Sequence, residues 1–158
     1  MLDYIRSLYH HQTWADDQLL KAVDACEPAP QDAEMLHALQ HIATAQLYLL
    51  SQMKKESFDT AKFKEQVSYA QIVERFREAH AANEAFLASL TEADLRRPFE
   101  MPYFKCNFTP LEGMTQIILH SQNHRGQCLT RLRELGAKPP TLDYILWVKD
   151  AHQRPSSV

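Results

Sequence analysis

The sequence predicts an all-α fold, a four-helix bundle with a long loop between helices three and four. Apolar residues recur at spacings of three and four along four long segments, which is typical of helices that bury one face. No segment has a convincing strand pattern, and three glycines against eight prolines exclude a turn-rich β fold. Four amphipathic helices in 158 residues favour one bundle. We therefore expect a single domain over residues 1–152 and a frayed tail over 153–158.

Helices one and two each show one face suited to burial. We expect helix one over about residues 3–26, ended by Pro28 and Pro30. Helix two is expected over about residues 32–54, with Asp32 as its N-cap. The faces consist of Ile5, Leu8, Gln12, Ala15, Leu19, Val23 and Cys26 in helix one, and of Leu36, Leu39, Ala43, Leu47 and Leu50 in helix two.

A charged connection, residues 54–66, precedes helix three. That helix is predicted from Ser68 to about Leu90, because Ser68 and Gln71 form a capping box. The next segment, residues 91–108, is irregular and contains several aromatic residues. A loop of this length in a compact domain usually covers a site or carries short structure of its own. It is also long enough for a crossover, so a simple up-down order of helices is not required.

Helix four has the clearest start in the chain. Residues 109–112 (TPLE) combine an N-cap threonine, proline at the first helical position and glutamate three residues on. The helix is expected to run through Leu135 and to stop at Gly136, a typical C′ residue. A short apolar segment over residues 142–148 is expected to dock on the bundle.

Composition excludes several classes of protein. A net charge of −3 and a pI near 6.2 argue against a nucleic-acid binder that neutralises phosphates. The sequence contains no run of 18 apolar residues, the length that would predict a membrane span, and the first residues lack the pattern of a secretory signal. The three cysteines are scattered and form no CxxC motif, which favours a reduced protein of the cytoplasm.

Four of the eight histidines form two pairs at a spacing of four residues, His37 with His41 and His120 with His124. Spacing i, i+4 places both imidazoles of a pair on one helix face. Such a pair suits a divalent metal ion (Zn, Ni, Fe or Mn) that a ligand from another helix completes. Three protein ligands with an open position would be a catalytic arrangement.

The helical wheel orders these candidates only in part. In helix four, His124 borders the predicted buried stripe and His120 lies one step further round, with Gln127 on the same edge. In helix two, the wheel does not select between His37 and His41. Incidental pairs are also common in a chain with eight histidines, so a purely structural bundle stays open.

Other metal and nucleophile patterns do not fit. A zincin needs glutamate after the first histidine, and residue 121 is Ser121. A ferritin-type di-iron site needs two Glu-x-x-His motifs, but Ile117 stands three residues before His120. No elbow motif supports a Ser-His-Asp hydrolase.

Several stretches resemble the DinB family. The most specific are residues 119–127 (LHSQNHRGQ), 132–136 (LRELG) and 139–144 (PPTLDY). Weaker matches are residues 9–20, which include Trp14-Ala15-Asp16, and 39–43 (LQHIA). They cover nearly the whole chain in the family's order.

The resemblance implies a four-helix bundle, often dimeric, whose members bind a divalent ion through three histidines. The corresponding positions here are His41, His120 and His124, which leaves His37 near the site or on the surface. Many relatives carry a further histidine where this chain has Gln116, a position not expected to be a ligand. Relatives with known activity include transferases of low-molecular-weight thiols and a thiol-dependent isomerase.

These patterns support three hypotheses. The first is a metal-dependent enzyme that transfers a low-molecular-weight thiol to an electrophilic small molecule, with metal-dependent hydrolysis as its nearest variant. The second is a non-catalytic metal- or ligand-binding homodimer, and the third is a bundle whose histidines are incidental. No carboxylate is placed convincingly as a general base.

Four further residues are candidates for the surroundings of the site. Gln127, one turn after His124, is expected to hydrogen-bond a bound ligand. Arg125 is expected either to bind an anionic group or to pair with an acidic residue at an interface. Trp14 and Tyr48 are candidates for the pocket wall, and Cys128 is expected to pack as a small hydrophobe.

Overall fold

The computed structural model describes residues 1–153 and confirms the all-α bundle. Gln153, assigned to the tail from sequence, is the last residue of a helix, and the rest of that predicted tail lies outside the described residues. Within the described chain no helix has both the length and the apolar character needed to cross a membrane. The elements are α1 (Leu2–Asp24), α2 (Ala33–Lys54), α3 (Tyr69–Ser89), β1 (Phe99–Met101), β2 (Cys106–Phe108), α4 (Pro110–Glu134) and α5 (Tyr144–Gln153).

The helix ends follow the local signals in the sequence. Asp32 caps α2, since its carboxylate accepts a hydrogen bond from the Met35 amide at 2.9 Å. Capping boxes begin α3 at Ser68 and α4 at Thr109, as expected. Gly136 has a φ of +87°, the left-handed conformation that ends α4 at little cost only with glycine.

The four long helices do not pack in chain order. The pairs in close contact are α1 with α3, α3 with α2, α2 with α4, and α4 with α1. Consecutive helices α1 and α2 therefore lie on a diagonal of the bundle, as do α3 and α4. Because α2 and α4 are neighbours, their histidine pairs meet along one groove.

The segment between α3 and α4 has structure of its own. It contains a 3-10 turn at Asp94–Arg96 and an antiparallel hairpin that pairs Phe99 with Phe108. Phe99 and Met101 point into the core, and the strand contacts α2. The hairpin thus covers one end of the groove between α2 and α4.

A buried polar layer divides the core along the helix axes. One apolar cluster contains Leu19, Ile42, Phe76 and Leu132, among others, and the second contains Leu50 and Met114 and the hairpin residues. Between them, each helix contributes buried or half-buried polar side chains: Gln12 and Asp16, Thr44 and Gln46, His80 and Asn83, and Ser121 and Arg125. The candidate histidines lie at the same level as this layer.

Candidate metal centre

Three half-buried histidines form a triangle between α2 and α4. His41 comes from α2, and His120 and His124 come from successive turns of α4. The ring centroids are 4.5 to 4.9 Å apart, and one candidate ligand nitrogen from each ring lies within 4.8 Å of the others. The Nε2 atoms of His41 and His120 are 3.1 Å apart. We call this group the histidine triangle.

The electrostatic setting of the triangle suits a cation. Burial, followed by the proximity of His124 and His41, lowers the pKa of His120 to about 4. Burial, followed by His124 and His37, also lowers the pKa of His41. Both rings are therefore neutral near pH 7, as metal ligation requires. The residues present fit a divalent ion held by imidazole nitrogens.

Gln127 orients one ring of the triangle. Its Oε1 atom lies 2.9 Å from His124 Nδ1, so a neutral His124 donates its Nδ1 proton to the amide oxygen. That tautomer leaves the lone pair of Nε2 free. Gln127 therefore acts on His124 itself, whereas the sequence suggested that it contacts the bound ligand.

Two cavities adjoin the triangle, and His41 lines both. The charged cavity, about 480 Å³, also contains His124. The apolar cavity, about 920 Å³, also contains His120 and is roofed by the hairpin. The polar side chains of the charged cavity are Glu34, His37, Gln127 and Arg131, and the aromatic side chains of the apolar cavity are Tyr48, Phe63, Phe99, Tyr103, Phe104 and Phe108.

The structure shows which of the candidate histidine and aromatic residues lie at the triangle and its cavities. His37 is exposed on the wall of the charged cavity and lies outside the triangle. Tyr48 lines the apolar cavity, as predicted for a pocket wall. Trp14, the other candidate for the pocket wall, packs with its ring 5.7 Å from His11 and lines neither cavity. The reason is that α1 lies diagonally opposite α2, so Trp14 faces other neighbours.

Arg125 pairs with a carboxylate inside the bundle and does not line either cavity. Its Nη1 atom donates to Asp16 Oδ1 at 2.7 Å, and both side chains are almost fully buried. Asp16 Oδ2 lies 3.0 Å from His80 Nε2 and accepts from Gln46 Nε2 at 3.1 Å. One carboxylate thus joins all four long helices.

The charge of Asp16 is held by its partners. Burial alone would raise the pKa of this carboxyl group, but Arg125 and His80 outweigh burial and lower it. Sequence reasoning noted Asp16 only within a family match and missed His80. A usable signal was present, because Asp16 falls beside Ala15 and Leu19 on the buried face of α1.

Cys128 is fully buried in an apolar cluster, as expected for a small hydrophobe. Burial, the largest cause, and nearby Asp16 raise the pKa of its thiol to about 12. A thiol that stays protonated is a poor metal ligand. The structure therefore limits the candidate ligands at this level to the histidine triangle among the described residues.

Fold and site define a helical-bundle protein with a candidate three-histidine metal centre, and sequence comparison places it in a family. The profile of the DinB superfamily matches residues 5–128, more than half of the chain, so the chain belongs to the DinB superfamily. A DinB-like protein from Bacillus cereus ATCC 10987, known from a crystal structure, has the same fold. It is 22% identical, with a TM-score of 0.66, and the match covers 85% of this chain and 94% of that one. No curated protein matches the sequence.

Proposed function

We propose that this protein is a metal-dependent enzyme that transfers a low-molecular-weight thiol to an electrophilic small molecule. The observation that carries the proposal is the histidine triangle placed in the wall between two cavities of different polarity. A divalent ion there would lower the pKa of a bound thiol or water toward neutrality. In the transfer, the thiol sulfur forms a bond to the electrophilic carbon, the leaving group departs with its electron pair, and the thiol proton passes to solvent.

The side chains around the triangle have separate tasks in this proposal. Gln127 fixes the orientation of His124, and the Asp16–Arg125 pair fixes the rotation of α4 that presents both of its histidines. The charged cavity suits a thiol that carries polar groups, because Glu34, His37 and Gln127 line it. Arg131 also lines it, with its guanidinium paired to Asp32. The apolar cavity then holds the electrophile next to His41 and His120.

Two alternatives share the metal centre. A metal-dependent hydrolase would use the same triangle and one cavity, and a non-catalytic homodimer would bind metal or ligand without turnover. Both predict metal occupancy, and only the transferase consumes a thiol. We further propose that the protein works in the cytoplasm as a homodimer, because the family resemblance implies dimers and the scattered cysteines favour a reducing compartment.

Elemental analysis of protein purified without a histidine tag tests the metal centre. We expect about one Zn, Ni, Fe or Mn per chain in the wild type, loss of that metal in His124→Ala, and retention in the matched control His37→Ala. The proposal is overturned if the wild type holds no stoichiometric metal even after reconstitution.

Thiol transfer is tested separately, with the metal that the first experiment identifies. Cysteine, glutathione and coenzyme A are each mixed with 1-chloro-2,4-dinitrobenzene, and thioether formation is followed by absorbance. We expect turnover in the wild type and in His10→Ala, an exposed change on α1 that lines neither cavity, and none in His124→Ala. Ester hydrolysis without thiol consumption would favour the hydrolase, and neither activity would favour the binding protein.

A further inference from the structure

The apolar cavity is built mainly of aromatic side chains. Its volume of about 920 Å³ lies in the range of cavities that enclose a drug-sized molecule. Tyr48 and Phe63 form one side, with ring centroids 5.9 Å apart in an edge-to-face arrangement. Phe99 and Phe108, paired across the hairpin, form another. Flat rings on several sides favour a ligand that itself contains a ring.

The charges around this cavity favour a neutral ligand. Within residues 1–153, no lysine or arginine lines it. Its acidic side chain, Glu112, is already used, since Oε2 accepts hydrogen bonds from Thr109 N at 2.7 Å and Thr109 Oγ1 at 2.9 Å. In the metal-free chain, an anion would therefore meet a carboxylate and no lysine or arginine, and a cation would meet a carboxylate that is already hydrogen-bonded.

Two aromatic rings at the hairpin turn are exposed to solvent at the rim of the apolar cavity. Tyr103 is 79% exposed and Phe104 is 58% exposed, although both line the cavity. Their rings meet edge to face with centroids 4.9 Å apart. Exposed aromatic groups next to a cavity are typical of a ligand-binding surface.

We propose that the apolar cavity binds a neutral, ring-bearing small molecule, with Tyr103 and Phe104 as specificity-determining residues. Such a molecule would be the electrophile of the transfer, and this assignment rests on the proposed function. The binding itself does not depend on a metal ion, because the cavity is formed by the chain. The charged cavity, which contains Arg131 and Glu34, offers the opposite chemistry on the other side of His41.

A matched pair of probes tests the ligand class on metal-free, full-length protein. The fluorescence of 2-naphthol, which is neutral at pH 7, and of 2-naphthalenesulfonate, which carries a charge on the same ring system, is titrated with protein. We expect 2-naphthol to bind at one site and the sulfonate to bind about tenfold more weakly or not at all.

Variants test whether 2-naphthol binds in the apolar cavity. Tyr103→Ser with Phe104→Ser should weaken 2-naphthol binding about tenfold, because both exposed rings are lost. Tyr4→Ser is the matched control, since Tyr4 is 60% exposed on α1 and does not line the cavity. It should leave binding unchanged.

A charge introduced at the mouth provides a second, independent readout. Gln116 is exposed on α4 and lines the cavity, so Gln116→Lys should tighten the sulfonate about tenfold. Thr115→Lys adds the same charge on the neighbouring exposed position outside the cavity lining and should not.

The outcomes separate this inference from the proposed function. Equal or tighter binding of the sulfonate in the wild type, or 2-naphthol binding that ignores both the hairpin and Gln116 variants, overturns the inference even if metal and thiol transfer are found. Selective 2-naphthol binding by a protein that never holds metal supports the cavity assignment and removes the transferase. A dimer that dissociates on Tyr103→Ser with Phe104→Ser and excludes both probes would show that a second copy covers the rings, which also overturns the inference.

Discussion

Histidines occupy two different settings at the middle of this bundle. In the histidine triangle, the rings face one another, and the charges that act on His41 and His120 come from other histidines. His80 instead lies 3.0 Å from the carboxylate of Asp16, which Arg125 also contacts. The buried polar layer thus satisfies its charges within the chain, whereas among residues 1–153 no carboxylate forms a salt bridge with His41, His120 or His124.

The two settings have different physical consequences for the histidines in them. A histidine that shares a buried carboxylate with an arginine is held by the fold, and removing that carboxylate destabilises the fold because a buried charge is left unpaired. Histidines that gather without a carboxylate gain nothing from one another as cations, and their arrangement is one that could hold a metal ion. The contrast can be tested, because changes in the polar layer should act on stability and changes in the triangle on metal binding.

The largest expected effect is on the polar layer. Asp16→Asn removes the carboxylate that joins all four long helices and leaves buried Arg125 without its counter-charge. We expect the free energy of unfolding, measured in urea, to fall by about 3–5 kcal/mol. Asp3→Asn is the control, since the Asp3–Arg6 pair is exposed and its loss should cost less than about 1 kcal/mol. A similar small loss in both variants would contradict the role given to Asp16.

Metal removal should have the next largest effect on stability, and this effect should depend on the histidines of the triangle. At a free concentration about 100-fold above the dissociation constant, a divalent ion should stabilise the fold by about 2.7 kcal/mol. For a domain of this size the melting temperature should rise by roughly 5–10 °C and fall again on chelation. His120→Ala should abolish the shift, and His37→Ala should preserve it. An equal shift in His120→Ala would place the ion elsewhere.

Gln127→Ala should weaken metal binding although Gln127 is not part of the triangle. Without its amide oxygen, the 2.9 Å contact that orients His124 is lost. We expect metal affinity, measured by competition with a chromogenic chelator, to fall about 10–100-fold while the free energy of unfolding of the metal-free protein changes little. Gln127→Glu retains an acceptor and should restore much of the affinity. Asn123→Ala, an exposed change on the same helix, should have no effect.

The smallest expected effect concerns a third setting, around His11. Its Nε2 lies 2.9 Å from the Leu142 carbonyl, and the Trp14 and Trp147 rings pack against it. Burial is the main cause that lowers the pKa of His11 below its ordinary value. The unfolded chain therefore binds a proton more readily, and stability should decrease as pH falls below about 6.5.

Intrinsic fluorescence measures this titration, because both tryptophans of the chain contact the His11 ring. Emission should decrease on acidification with a midpoint below about 6.5, since a protonated imidazole quenches indole fluorescence. His11→Asn should remove the transition, and the exposed neighbour change His10→Asn should leave it in place. A midpoint above the ordinary histidine value would contradict the burial argument.

Local chemistry made the helix ends predictable. Each of the signals lies within a turn or two of the helix end that it sets, so no distant residue is needed. They are the N-cap at Asp32, the capping boxes at Ser68 and Thr109, and Gly136 in the left-handed conformation after α4. The hairpin between α3 and α4 was not predicted as strands. Its pairing of Phe99 with Phe108 depends on packing against α2 and the core, not on a local alternation.

The amino-acid sequence was sufficient to predict that the chain forms amphipathic helices and that His120 and His124 share one face, because the 3.6-residue period is a local property. It did not determine whether His37 or His41 faces α4, that Trp14 points away from the cavities, or that Asp16, His80 and Arg125 meet. Those facts depend on the order in which helices pack and on the rotation of each about its axis. Contacts among all four helices set both, and α1 therefore meets α4 across a buried ion pair while α2 and α4 bring the histidines together.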